Sequence, residues 1–193
     1  RLQKAAQDLK CYIGANSYEK DPEWPDRYFN CSYLIDPSGD VILKYRRINT
    51  VHTASPHDFM DAYLDKYGLE GTFPVSETPL GNIAMMPCGE IMYPESARMF
   101  MFRGAEVLLH PTSDHGAADK WAWESAKKVR ASENMMYLVS TNATGQIGTF
   151  IPEGQTLGNS KIIDYHGRVL ENVGGPGEST VASATIDVEA LRR

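Results

Sequence analysis

Apolar positions change their period several times along the chain, and each change marks an element. Leu2, Ala5, Ala6 and Leu9 recur at helical spacing, so the chain opens inside a helix. Residues 11–18 read as a strand, and the proline-rich stretch 21–27 reads as a surface loop. Residues 28–35 and 41–47 read as two strands joined by Asp36-Pro37-Ser38-Gly39, a good hairpin turn. Residues 48–72 are irregular, with a short helix expected over 59–67, and a long excursion of this kind usually carries function. A strand over 73–78 turns at Leu80 and Gly81 into the apolar run Ile83-Ala84-Met85-Met86, the pattern of a strand covered on both faces. The helix over 94–103 should close at Gly104, and residues 105–110 should form a short apolar strand ended by Pro111. Residues 118–134 read as a helix with Ala122, Ala126, Val129 and Glu133 along one face, followed by a strand over 136–141. A second hairpin pairs 160–164 with 168–173 across His166 and Gly167. A last strand over 181–186 then leads into a helix at 187–193.

Strand, helix, strand, helix, strand in succession is the order of layered α/β structure with parallel neighbours. No linker or low-complexity segment interrupts it, so residues 1–193 are read as one domain. Its first and last helices look cut, which suggests that the domain is partial at both ends. A net charge of −6 with acids and bases intermixed argues against nucleic acid and anionic membrane as partners. Cys11, Cys31 and Cys88 are odd in number and widely spaced, which suits a reducing, cytoplasmic setting better than a disulfide framework. No apolar stretch has membrane-spanning length. The histidines His52, His57, His110 and His115 lack ligand-like spacing and no Cys-x-x-Cys pair exists, so no metal is expected. Gly174-Gly175-Pro176-Gly177 lacks the residues of a phosphate loop and reads as a turn.

The chemistry concentrates at Cys88. It follows a core strand, Gly89 would permit a sharp turn, and Pro94 and Glu95 suit the first turn of the next helix. A cysteine between a strand end and a helix start can have its thiol activated as the thiolate nucleophile, the plain alternative being a buried structural cysteine. In layered α/β folds the working groups lie at the carboxyl ends of strands, where Arg47, His110 and Asn142 also fall.

Four ordered stretches carry a resemblance to the nitrilase superfamily of carbon–nitrogen hydrolases, in its amidase-like branch. They are Cys88 with Tyr93-Pro94-Glu95 and Arg98; Asp36 to Arg47, ending Tyr45-Arg46-Arg47; Arg103-Gly104-Ala105-Glu106 through Pro111; and Arg130-Ala131-Ser132-Glu133-Asn134 through Asn142. The resemblance implies a four-layer α-β-β-α sandwich and a Glu–Lys–Cys triad. It also implies hydrolysis of a small amide through an acyl-thioester, no cofactor, and pairing into a homodimer or larger assembly. Carried over residue by residue, Cys88 is the nucleophile and Arg47 stands at the lysine position as oxyanion support. Lys44 is the alternative cation, but strand alternation points it to the opposite face. Arginine for lysine is not a conservative exchange. The family's early glutamate has no match, since Glu19 and Glu23 lack its context. Asp58 and Asp61 are the nearest further carboxylates.

Glu90 either faces the pocket or accepts backbone hydrogen bonds, whereas Glu95 and Glu133 read as structural. Asp58, Glu90, His110 and Asn142 complete the candidate pocket. Trp121 is a possible substrate wall, and Met99, Met101 and Phe102 look exposed enough to join subunits. A nitrilase or N-carbamoyl hydrolase is a variant of this reading. A papain-like Cys–His pair drawing on His57, His110 or His115 is disfavoured by the strand order. The rival of another class is a non-catalytic structural or binding subunit, which the arginine and the unmatched glutamate would suit.

Overall fold

The computed structural model describes residues 1–50, 54–114, 121–148, 156 and 158–193. Helix α1 (Leu2–Leu9) leads into a three-stranded antiparallel sheet of β1 (Ile13–Glu19), β2 (Phe29–Ile35) and β3 (Val41–Arg46), in the order β1-β2-β3. A 3-10 turn (Pro56–Phe59) opens α2 (Met60–Thr72), which runs on past the expected end at Tyr67 although Gly68 interrupts its helical backbone. The second sheet has six strands in the order β4-β5-β6-β7-β8-β9. These are β4 (Ser76–Thr78), β5 (Gly81–Met85), β6 (Val107–Thr112), β7 (Tyr137–Asn142), β8 (Ser160–Ile163) and β9 (Val169–Val173). Its middle strands β5, β6 and β7 are parallel, as the alternation with helices required, and the outer pairs are antiparallel. Helix α3 (Pro94–Phe102) joins β5 to β6, α4 (Trp121–Glu133) precedes β7, and α5 (Val188–Leu191) lies near the chain's end.

The two sheets face each other, with β1 against β6 and β2 against β5. Gly14 shows how close they come: a Cβ there would sit 2.9 Å from Leu109 Cδ1. Helix α1 covers β2 on the outer side of the small sheet, and α4 covers β7 and β8 on the outer side of the large one. The result is the four-layer α-β-β-α sandwich. Period-two alternation along β3 sends Leu43 and Tyr45 inward. Lys44 and Arg46 go outward, where both pair with Glu19 at 2.8 Å.

Three elements depart from the expected ones. The buried face of α4 is not the apolar stripe through Ala122 and Val129 but Ala126, Lys127, Arg130 and Ala131; Ala122 and Val129 are exposed. The helix turns its charged residues inward because Asp114, Ile91 O and other groups are waiting to pair with them. Pro111 does not end β6, which continues to Thr112. By then β5 has stopped, and the register with β7 runs on through Pro111 opposite Thr141. Residues 181–186 are not a strand: Val181 is largely exposed, and Ile186 packs against the core, lining a small cavity with Tyr12, Leu34 and Ile83. Helix α4 is described from Trp121 onward, so residues 118–120 of the expected helix lie outside the described residues, as do His52 and His115. Met99 and Met101 are half-buried rather than exposed, while Phe102 is exposed as expected. No helix among the described residues is long and apolar enough to cross a membrane.

Candidate active site

The parallel strands β5, β6 and β7 all end at one edge of the sandwich, and the chain segments leaving them surround a cavity of about 840 Å³. Cys88, Gly89 and Tyr93 come from the segment after β5; Thr112 and Ser113 from the end of β6; Thr141, Asn142 and Ala143 from the end of β7. The small sheet closes the opposite side with Asn16, Tyr18, Asn30 and Arg47. Trp123 lines the cavity from α4, whereas Trp121, the expected substrate wall, is 78% exposed and outside the lining.

Cys88 begins a 3-10 turn (Cys88–Met92) and has φ 53, a left-handed backbone that non-glycine residues rarely hold. The sharp turn therefore falls on Cys88 itself, and Gly89 is needed for a different reason. A Cβ on Gly89 would lie 3.0 Å from Trp123 Cη2 and 3.2 Å from Arg47 Nη2, so glycine lets the indole and guanidinium close over the turn. Holding a residue such as Cys88 in this conformation costs about 1–3 kcal/mol and needs surrounding contacts to enforce it.

Arg47 follows β3 in the inward phase set by Leu43 and Tyr45. Its main-chain N–H donates to Asn30 O at 2.8 Å and its Nε donates to Asn49 O at 2.7 Å, leaving the planar end of the guanidinium beside the Cys88–Gly89 turn. Lys44 is held outward by Glu19, so the structure brings Arg47, not Lys44, together with Cys88.

Of the remaining expected pocket residues, Asn142 lines the cavity. Its Oδ1 accepts from Asp114 N at 2.8 Å and its Nδ2 donates to Gly158 O at 2.6 Å, so it pins the loops after β6 and before β8. Asp58 does not reach the cavity; it accepts from Ser55 N at 2.8 Å and caps its own 3-10 turn. Glu90 is not in the lining either. It is fully buried, accepting from Ile48 N and Asn49 N at 3.0 Å each and from Tyr45 Oη at 2.8 Å. One carboxylate thus ties the Cys88 turn to the segment that follows Arg47. His110 sits behind the cavity wall, fully buried, with Nε2 2.9 Å from Cys88 O.

Burial raises the Glu90 carboxyl from 4.5 to about 7, against hydrogen bonds from Asn49 N–H and Tyr45 and the charge of Arg47. The folded protein therefore binds a proton here that the unfolded chain has released, and stability falls as pH rises from about 4.5 to about 7. Glu90→Gln keeps the acceptor and removes the titration. Its urea midpoint should fall less than that of the parent between about pH 5 and about pH 8. Equal slopes for the two proteins would contradict this assignment.

Sequence reasoning missed a charged cluster under the loop that carries Thr112 and Ser113. Lys127 Nζ is completely buried and donates to Asp114 Oδ2 at 2.8 Å and Glu124 Oε1 at 3.1 Å; Lys161 also pairs with Glu124. Asp114 also accepts from Thr112 Oγ1. Burial would raise the Asp114 carboxyl, but the Lys127 charge and the hydrogen bonds from Lys127 and Thr112 hold it below its ordinary value. Period-two placement of Asn16 with Gly14 and Tyr18 was the available signal for the small-sheet wall. Nothing in the local sequence marked Lys127 as buried. Among the described residues no group of three His, Cys, Asp or Glu is placed to hold a metal ion.

Comparison with known proteins gives the class of this sandwich, whose strand-end cavity Cys88 and Arg47 both line. The chain belongs to the carbon-nitrogen hydrolase family, whose model matches residues 1–193. It is 30% identical over 168 residues to a formamidase of Bacillus cereus, covering 86% of this chain and 46% of that protein. It is 25% identical over 193 residues to an omega-amidase of Xenopus tropicalis, covering 99% of this chain and 67% of that one. The chain thus spans about half the length of the formamidase it matches. Among solved structures, a mutant of the amidase from Nesterenkonia sp. AN1 superposes with a TM-score of 0.73 at 23% identity, covering 92% of this chain and 62% of that one. That structure shows covalent addition of the acetamide moiety of fluoroacetamide at its active-site cysteine.

Proposed function

We propose that the protein hydrolyses a small amide, with Cys88 as the nucleophile. The observation that carries this reading is Cys88 held at φ 53 on the wall of a cavity that Arg47 shares. In this reaction the Cys88 thiolate attacks the amide carbon, and the charge gathering on the carbonyl oxygen is met by the Arg47 guanidinium and backbone N–H groups. The C–N bond breaks, ammonia leaves with the proton taken from the thiol, and water cleaves the acyl-thioester to a carboxylic acid and free Cys88. No carboxylate lines the cavity among the described residues, so the base that takes the thiol proton is not one of them. Glu90 does not fill that role, because both its oxygens already accept hydrogen bonds away from the cavity. The adduct on the cysteine of the Nesterenkonia amidase, an acetamide group that still holds its nitrogen, supports a nucleophilic sulfur at that position.

The same lack of a lining carboxylate, with arginine at the cationic position, favours a second reading as a non-catalytic subunit. Ammonia release by the full-length protein separates the two. Formamide, acetamide and propionamide should be turned over, and the nitriles of equal chain length should not. Silence on all amides would favour the non-catalytic subunit, and turnover of nitriles alone would make the protein a nitrilase. Assembly into a homo-oligomer belongs to the proposal, with exposed Phe102 and Trp121 as its candidate contacts.

A further inference from the structure

We propose that His110 and Ser140 form a positioning pair that holds the main chain of Cys88 in its left-handed conformation, so that the β6–β7 ladder sets where the nucleophile's sulfur points. The inference rests on the reading of Cys88 as nucleophile and adds to it the device that fixes its aim. His110 and Ser140 lie directly opposite each other in the parallel register of β6 and β7, and both are buried. The imidazole bridges them to the turn after β5: Nδ1 is 3.0 Å from Ser140 Oγ and Nε2 is 2.9 Å from Cys88 O.

The proton positions follow from chemistry. A carbonyl oxygen can only accept, so Nε2 carries the hydrogen; in a neutral imidazole Nδ1 then accepts from the Ser140 hydroxyl. The ring is neutral because burial lowers its pKa to about 4. The bond to Cys88 O and the charge of Asp114 oppose that shift, whereas the charges of Lys127 and Arg47 reinforce it. One ring thus ties the carboxyl ends of three adjacent strands together at the residue whose backbone is strained. The ladder itself reaches only to Met86, whose N–H donates to Leu109 O at 3.0 Å, and His110 carries the tie two residues further to Cys88. His110 is outside the cavity lining, so its action on substrate goes through Cys88.

The test uses the full-length protein and a small amide that it turns over. His110→Phe keeps the ring's bulk and removes both hydrogen bonds; His110→Gln keeps a donor that can reach Cys88 O; Ser140→Ala removes only the outer bond. A misaimed nucleophile slows chemistry without weakening binding, so His110→Phe should lower kcat by about 10²-fold with KM within about twofold. His110→Gln should recover about tenfold of that loss, and Ser140→Ala should lower kcat severalfold with KM unchanged. Should His110→Phe fail to fold, His110→Gln and Ser140→Ala decide: both must be impaired in kcat alone. The proposal is overturned if Ser140→Ala and His110→Gln match the parent, if KM rises as far as kcat falls, or if His110→Gln is no better than a folded His110→Phe. A Cys88→Ala variant measured beside them separates the two levels. If it is inactive while the His110 and Ser140 variants are unimpaired, the positioning pair alone fails. If it retains activity, the nucleophile reading fails and the pair falls with it.

Discussion

Replacing Cys88 by alanine should abolish the proposed amide hydrolysis, lowering kcat by roughly 10⁴-fold or more, while the protein stays folded. The size of the effect follows from the proposed route. Without sulfur there is no acyl-thioester, and the flanking cavity residues Thr112, Thr141 and Asn142 offer only hydroxyls and an amide, none paired to a base in the lining. Stability should change little, because Cys88 lines the cavity rather than the core, and its hydrogen bond to His110 uses the main-chain oxygen that alanine keeps. Ammonia release and a thermal melt on the same preparation check both halves. A Cys88→Ala protein as active as its parent would sink the reading of Cys88 as the nucleophile.

Lys127→Met should destabilise the fold by about 3–5 kcal/mol, because it leaves Asp114 buried with its charge uncompensated. Lys127 is completely buried and Asp114 is 2% exposed, so neither can turn to water when its partner is lost. Asp114 also donates its main-chain N–H to Asn142 and accepts from Thr112, so the loss should reach the cavity wall as well. Combining Lys127→Met with Asp114→Asn should return much of the stability, since the second change removes the stranded charge. The Asp114 carboxyl titrates below its ordinary range in the folded state. Its contribution is therefore present above the unfolded carboxylate value and is lost as pH falls through the lowered one. Urea unfolding of the parent, the single variants and the double variant measures all of this. A loss under about 1 kcal/mol for Lys127→Met would show that the pair is not held as described.

The parts of this structure that the sequence made legible are those where side-chain period and environment agree. Alternation along β3 separates Leu43 and Tyr45 from Lys44 and Arg46, and that separation places Arg47 at the cavity and Lys44 against Glu19. The runs before Cys88 and Pro111 read as buried parallel strands, and β5 and β6 are that. Misreadings arose where a polar residue is buried by a partner distant in sequence. Lys127 and Arg130 look like solvent-facing residues of α4 until Asp114 and Ile91 O are placed beside them, so the helix was expected to bury a different face. Pro111 reads as a stop because the local chain cannot reveal that β5 ends first. Residues 181–186 have a strand's composition and no ladder in the described structure. Glu90 had two open readings, pocket or backbone, and only the return of Ile48 and Asn49 to its side decides between them. Gly89 suggested the sharp turn, yet Cys88 adopts it, and Gly89 instead leaves room for Trp123 and Arg47 to close over the turn.

The central claim is that Cys88 carries the acyl group during turnover, and mass spectrometry of the working full-length protein tests it most directly. Acid-quenched during hydrolysis of a small amide and digested, the peptide containing Cys88 should gain the mass of the acyl group. That gain should disappear on treatment with hydroxylamine, which cleaves thioesters, and should be missing from Cys88→Ala. Steady ammonia release with an unmodified Cys88 peptide at every quench time, or with the acyl group on another residue, would contradict the account.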